Sequence, residues 1–257
     1  MSARRLSAAL IGTAALMVLG VAAVQARPAA RAASAAPVVQ SMIVGSGGSI
    51  LSSARSVSAS ATTVRVGSRS CAVAAGTPLA VLAAVARGGG PSFVLRDYGR
   101  CGASPADSGQ LFVDSLGGEA NRGQDGWEYK VGGISGTTGA GDPSGPAGNG
   151  RRLSSGAQVL WFWCAAYTGG CQRTLEATAS STTVNPGAAV SVSVLGRDNE
   201  GRPVPLAGAI VTLETDFAST GSNGRTTVYA PDAPGRYQLS ATRRGLVPSF
   251  PETIVVR

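Results

Sequence analysis

The chain has 257 residues, a formal net charge of +8 and no histidine. The lack of histidine excludes Ser-His-Asp and Cys-His catalytic arrangements, and the sequence contains no GxxxxGK[ST] phosphate-binding loop. Basic residues are spread out: residues 62–171 contain nine basic and seven acidic side chains, and residues 172–257 contain eight and seven. We therefore predict no nucleic-acid interface, which would need a concentrated basic face.

The first 26 residues have the pattern of an export signal. Two arginines precede an uncharged apolar run over residues 6–24, and Val24-Gln25-Ala26 fits the small-x-small cleavage pattern. We predict a signal peptide over residues 1–26 with cleavage before Arg27. The apolar run is about long enough to cross a bilayer, so an uncleaved membrane anchor is the alternative.

Residues 27–61 are dominated by small side chains, and large apolar residues are sparse. Such a composition predicts a flexible, low-complexity spacer. Within it, Ser41 to Leu51 could form an isolated strand or a short helix.

Residues 62–171 are predicted to form a small α+β domain. Thr62–Val66 alternates as a strand does, and Thr77 and Pro78 suit the N-cap and first turn of a helix that ends before the glycines at 88–90. Four further strands are predicted, separated from one another by turns or by the glycine-rich loop of residues 134–156: Ser92–Tyr98, Gln110–Ser115, Gly126–Val131 and Ala157–Cys164.

Three segments of this region carry a family resemblance: Gly76–Leu79, Gly126–Gly133 and the stretch from Leu153 to Trp163. They resemble the small C-terminal domain of the transcobalamin and intrinsic-factor family, to which uncharacterised domains of bacterial exported proteins are related. The resemblance implies a helix packed on a mixed sheet. In the vitamin carriers this domain closes over cobalamin together with a helical domain, for which this sequence has no counterpart.

Residues 172–257 are predicted to form an all-β sandwich. Short alternating segments recur at regular spacing, and turn sequences such as Asn185-Pro186-Gly187 and Ser222-Asn223-Gly224 separate them. These segments resemble bacterial Ig-like modules of adhesins and surface proteins. Because the two regions differ in pattern, we predict that residues 172–257 fold independently.

The four cysteines are Cys71, Cys101, Cys164 and Cys171. An even number in an exported chain predicts disulfides, and four cysteines allow three connectivities. Chain order and loop length favour Cys71–Cys101 and Cys164–Cys171. No CxxC spacing occurs and histidine is lacking, so we predict neither a metal site nor a cofactor.

Four aromatic residues are the candidate ligand-binding set: Trp127, Tyr129, Trp161 and Trp163. Strand alternation places Trp161 and Trp163 on one face and Phe162 and Cys164 on the other. If Phe162 points inward, the tryptophans form an exposed platform for a planar ligand or sugar ring. If the tryptophans point inward, they are core.

Three other features could indicate catalytic or calcium-binding residues, but each has a simpler explanation. Lys130 is the single lysine and the one candidate for a Ser-Lys dyad, but its strand position predicts a solvated side chain. Asp125 and Glu128 could supply two carboxylates, yet nothing marks either as buried. The Asp198–Gly201 sequence resembles a calcium loop in residue type, and a hairpin turn explains it better.

These observations predict an exported, non-enzymatic binding or display protein of the bacterial cell envelope or medium, with an unknown extracellular ligand or envelope component as its partner. One alternative is a scavenger of a corrinoid or another planar ligand that uses the four aromatic residues. Another is a structural spacer that binds nothing.

Overall fold

The structure of the protein is a computed structural model that describes residues 35–166 and 170–257. Most of its secondary-structure elements are strands. The predicted signal peptide of residues 1–26 lies outside the described residues. In the first half the elements are β1 Val38–Val44, β2 Ile50–Ser58, β3 Thr62–Val66, β4 Arg69–Val73, α1 Pro78–Arg87, β5 Phe93–Asp97, β6 Leu111–Leu116, β7 Glu119–Ala120, β8 Gly126–Val131, β9 Ile134–Ser135 and β10 Gln158–Cys164. In the second half they are β11 Thr174–Ala179, β12 Thr183–Val184, β13 Ala189–Arg197, β14 Pro203–Pro205, β15 Ile210–Leu213, β16 Asp216–Ser219, β17 Arg225–Tyr229, β18 Gly235–Thr242 and β19 Glu252–Val256. Short 3₁₀ turns span Ser46–Gly48 and Pro105–Gln110.

Strands β1 to β10 form three sheets, which we call the N-terminal sheets. The largest has the order β2-β1-β10-β8-β9, and two smaller ones pair β3 with β4 and β5 with β6 and β7. In the largest sheet β1 runs parallel to β10, from Gln40 opposite Gln158 to Val44 opposite Phe162, and the other pairs are antiparallel.

Helix α1 begins and ends where the sequence predicts. The Oγ1 of Thr77 accepts a hydrogen bond from the N–H of Ala80 at 3.3 Å, Pro78 opens the first turn, and Gly88 follows the last residue. The guanidinium of Arg55 in β2 donates to the carbonyl oxygens of Val85 and Gly88 at 2.9 and 3.2 Å. It thereby adds side-chain hydrogen bonds at the helix end, where the carbonyl of Val85 also accepts from the N–H groups of Gly88 and Gly90.

The predicted α+β class of the first domain is wrong, because this part of the structure is nearly all β. Helix α1 is the one α-helix among the described residues, and strands supply most of the structure around it. The predicted spacer of residues 27–61 is also wrong for residues 38–58, which form the antiparallel pair β1–β2 within the largest sheet. Its few large apolar residues are well placed, since Val39 and Ile43 are buried in the core beside α1.

Strands β11 to β19 form two sheets that share one apolar core, the arrangement of a β-sandwich, which we call the C-terminal sandwich. One sheet has the order β11-β13-β14 with β17 also paired to β13, and the other has the order β12-β19-β18-β15-β16. The shared core includes Val192 and Val228 from the first sheet and Val211, Leu239 and Ile254 from the second.

Besides the cores of the N-terminal sheets and of the C-terminal sandwich, a third apolar cluster joins these two parts of the protein. Leu160 and Phe162 lie on the face of β10 opposite Trp161, and they cluster with Val247 and Phe250 from the segment between β18 and β19. Residues 35–257 accordingly form a single compact unit. Independent folding of residues 172–257 stays a prediction. No helix among the described residues is long and apolar enough to cross a membrane.

Candidate functional site

The four candidate aromatic residues are all buried, so of the two alternatives the tryptophans are core and the exposed platform does not form. Trp161 is 1 % exposed, and Trp127, Tyr129 and Trp163 are nearly as inaccessible. They lie on the face of the largest sheet that packs against the core containing α1. The opposite face of β10 is buried too, because the segment carrying Val247 covers Phe162. Both faces of β10 are therefore core.

The side-chain polar atoms of Trp127 and Tyr129 are bonded within the protein, whereas the buried indole nitrogen of Trp161 has no partner. Trp127 donates from Nε1 to the carbonyl of Glu119 at 2.8 Å, and its ring packs edge-on against Trp163 at 5.7 Å. Tyr129 donates from its hydroxyl to the carbonyl of Thr138 at 2.7 Å, and burial raises its pKa to about 12. The set has the geometry of a packed interior.

Both predicted disulfides are confirmed. Cys71 and Cys101 are bonded with their Cα atoms 5.2 Å apart, and Cys164 and Cys171 are bonded with their Cα atoms 5.0 Å apart. The first ties β4 to the segment after β5. At the second, Gln172 accepts from the N–H of Ala165 at 2.9 Å and donates to the carbonyl of Trp163 at 2.6 Å.

The prediction of a solvated Lys130 is wrong, because the side chain is 1 % exposed. It projects from β8 on the same side as Phe162 and reaches the C-terminal sandwich. Its Nζ donates to the carbonyl oxygens of Asp198 and Arg197 at 2.8 and 3.3 Å and to the Oγ1 of Thr174 at 3.3 Å. An ammonium group has three donors, so these acceptors use its full capacity.

Two hairpin turns meet around this lysine, and we call their contact the junction. The turn between β8 and β9 contains Gly133, where a Cβ atom would lie 2.8 Å from Cδ of Arg197. The turn between β13 and β14 contains Gly201, where a Cβ atom would lie 2.7 Å from Cγ1 of Ile134. The N–H of Ser135 also donates to the carbonyl of Asn199 at 2.8 Å. Glycine permits this close approach.

The Asp198–Gly201 segment is a turn, as the sequence predicts. The Oδ1 of Asp198 accepts from the N–H groups of Glu200 and Arg202 at 3.1 and 2.8 Å, and Arg202 forms ion pairs with both acidic residues. The carboxylates are thus engaged within the turn, and the carbonyl oxygen of Asp198 accepts from Lys130.

Lys130 makes stability depend on pH in a defined direction. Burial lowers its pKa to about 8 from the ordinary 10.5, with Arg173 and Arg197 lowering it further and Asp198 and Glu200 opposing the shift. Between these values the unfolded chain binds one more proton than the folded chain, so the free energy of unfolding should rise with pH. A shift of this size corresponds to a change on the order of 3 kcal/mol.

The measurement compares the native chain with Lys130→Met by denaturant unfolding below pH 8 and near pH 10.5. We expect the native-minus-variant difference in unfolding free energy to increase with pH, because contributions from the other titrating groups cancel. A difference that stays constant over this range would show that Lys130 titrates at its ordinary value.

Beside the junction lies a cleft of about 340 Å³ between the N-terminal sheets and the C-terminal sandwich. Its lining includes residues 174–178 of β11 and the apolar residues Leu160, Phe250 and Pro251. Glu176 and Arg197 form an ion pair at the rim. The sequence analysis did not identify this cleft, and the one signal that pointed to it was the unusual single lysine.

Comparisons with known proteins provide little further information. Neither a scan against protein-family models nor a search of curated proteins gives a match. Among solved structures, the chain is similar to the D00-D0 domain of Intimin, with 16% sequence identity over 58% of this chain and 90% of that chain and a TM-score of 0.25. The transcobalamin-family resemblance of residues 62–165 is not supported by these comparisons.

Proposed function

We propose that the chain is an exported, non-enzymatic binding or display protein of the bacterial cell envelope or medium. The observation that carries the proposal is the pairing of all four cysteines in two disulfides. Disulfides form and persist in oxidising compartments and are rare in the cytosol. The predicted signal peptide of residues 1–26 agrees with such a location.

Two observations support a binding or display role over catalysis. The sequence has no histidine, and the Nζ of Lys130 is buried and bonded to three oxygen acceptors within the protein. The shared apolar cluster and the junction hold the N-terminal sheets and the C-terminal sandwich together. A chain built in this way is suited to presenting surfaces in a constant arrangement.

The planar-ligand alternative loses its basis in the structure. It depended on an exposed aromatic platform, and Trp127, Tyr129, Trp161 and Trp163 are buried. We therefore propose no corrinoid or other planar ligand.

Expression of the full-length chain in a bacterial host tests the proposal. We expect the protein in the medium or cell envelope, beginning at Arg27, with no thiol that reacts with an alkylating reagent before reduction. An Ala26→Arg variant is the matched control, because a large charged residue at the cleavage site should block processing. Cytoplasmic protein that retains Met1 and has four reactive thiols would refute the proposal.

A further inference from the structure

The strand β11 is the last strand of its sheet, and part of its outer edge faces the cleft. Ala177 lies opposite Val194 of β13. The N–H of Val194 donates to the carbonyl of Gly224 at 2.7 Å, and its carbonyl accepts from the N–H of Leu206 at 3.0 Å, so both groups point away from β11. In an antiparallel ladder the opposite residue is then oriented outward as well. The N–H and carbonyl of Ala177 therefore point toward the cleft.

The same edge is already paired on both sides of Ala177. Before it, the N–H of Leu175 donates to the carbonyl of Val247 at 2.9 Å, and the N–H of Val247 donates to the carbonyl of Arg173 at 3.0 Å, which is a parallel bridge. After it, the N–H of Ala179 donates to a carboxylate oxygen of Glu252 at 2.7 Å. A side chain thus occupies the place that a strand carbonyl would take.

The chain that begins this parallel pairing does not continue it. After Val247 it turns away, and the N–H of Ser249 donates instead to the carbonyl of Ala241 at 3.0 Å. The cleft occupies the space beside β11 that a continued strand would fill, and its lining includes residues 174–178. Three consecutive groups of the edge face this space: the carbonyl of Leu175 and the N–H and carbonyl of Ala177.

We propose that this edge binds an extended peptide segment of a partner protein, in parallel with β11. The segment would donate to the carbonyl of Leu175, accept from the N–H of Ala177 and donate to the carbonyl of Ala177. Its next carbonyl would replace the carboxylate of Glu252 on the N–H of Ala179. Main-chain hydrogen bonds supply affinity in this mode of recognition, and side-chain pockets supply specificity. The inference rests on the proposed binding function and names its partner class.

The walls of the cleft define the side chains that such a segment would carry. Leu160, Phe250 and Pro251 provide an apolar wall, which favours an apolar side chain on that face of the peptide. The carboxylate of Glu252, once displaced from Ala179, favours a basic residue close to the end of the paired stretch. The volume of about 340 Å³ is within the range of pockets that bind ligands.

A phage-displayed library of random dodecapeptides, selected on the full exported chain, supplies the probe. The selected peptide is then labelled with fluorescein and titrated by fluorescence anisotropy. Ala177→Pro removes the N–H donor but no hydrogen bond to β13, and proline is tolerated on edge strands. We expect it to weaken binding at least about tenfold, the loss of one well-made hydrogen bond to the peptide. Glu252→Ala, which frees the N–H of Ala179, should strengthen the binding of selected peptides that carry no basic residue near the end of the paired stretch.

Ser180→Ala is the matched control, because Ser180 directly follows β11, its N–H donates to the carbonyl of Ser191 at 2.8 Å, and it is not among the residues that line the cleft. If Ala177→Pro does not fold, two sets of selected peptides, methylated on alternate backbone nitrogens, provide a second test. The set methylated on the nitrogens that would donate to the carbonyls of Leu175 and Ala177 should lose binding, and the other set should keep it. An absence of enriched sequences, equal affinity for the native chain and a folded Ala177→Pro variant, or equal affinity of both methylated sets would overturn the edge site. Export and disulfide formation would be unaffected by that result, so failure here is distinct from failure of the proposed function.

Discussion

Replacing Trp161 with alanine should lower the free energy of unfolding by about 3–5 kcal/mol, the range for removal of a large buried aromatic side chain. Trp161 is 1 % exposed and packs at 5.5 Å from the ring of Tyr129 within the core of the N-terminal sheets. The sheet around it is paired on both sides of β10, so it can close only partly around the cavity. Denaturant unfolding of the native chain and the variant measures the effect.

Phe217→Ala is the matched control for this variant. Phe217 lies on the edge strand β16 and is 69 % exposed, so its removal should change stability by no more than about 0.5 kcal/mol. If the two variants changed stability equally, Trp161 would not be core, and an accessible aromatic surface would again be an open interpretation.

Removal of the Cys71–Cys101 disulfide in a double alanine variant should destabilise the protein by about 3–4 kcal/mol in the chain-entropy description. The bridge closes a separation of 30 residues that contains α1 and β5, so the reduced unfolded chain gains much conformational freedom. Denaturant unfolding of the oxidised native chain and the double variant gives the difference.

The corresponding double variant of Cys164 and Cys171 is the comparison. Its bridge closes a separation of 7 residues, for which the same description gives about 2–3 kcal/mol. We expect the first variant to be the less stable of the two. The opposite order would show that packing around the second bridge outweighs the entropy of the loop.

Local patterns in the sequence predicted individual elements well. The strands β3 and β8 have the predicted bounds, and α1 has its predicted cap at Thr77. These elements depend on alternation, capping and turn residues, which act over a few neighbouring positions. The disulfide pairing was also predictable, because chain order and loop length favoured it.

The errors arose where long-range packing decided the outcome. Strand β2 is rich in serine and has few large side chains, but its backbone pairs with β1 whatever its side chains are. In β10 the alternation suggested one buried face, and the C-terminal sandwich buries the other. A strand covered on both faces loses its alternating pattern.

The site could not be read from residue types for the same reason. Lys130 is separated by more than sixty positions from the carbonyl groups of Arg197 and Asp198 that bind it. The cleft edge at Ala177 is made of backbone atoms, and the side chain of alanine gives no indication of them. Such sites are defined by topology, which a single sequence pattern does not record.

The parallel pairing of β1 with β10 has a consequence for the order in which the chain can fold. Gln40 is opposite Gln158, so the second strand of the pair is synthesised more than a hundred residues after the first. Contacts of such separation carry a large loop-closure cost and slow the folding of a domain. The largest sheet therefore cannot be completed on a nascent chain that ends before residue 158. In a chain that emerges N-terminus first from an export channel, β1 would lack its parallel neighbour until β10 had emerged as well.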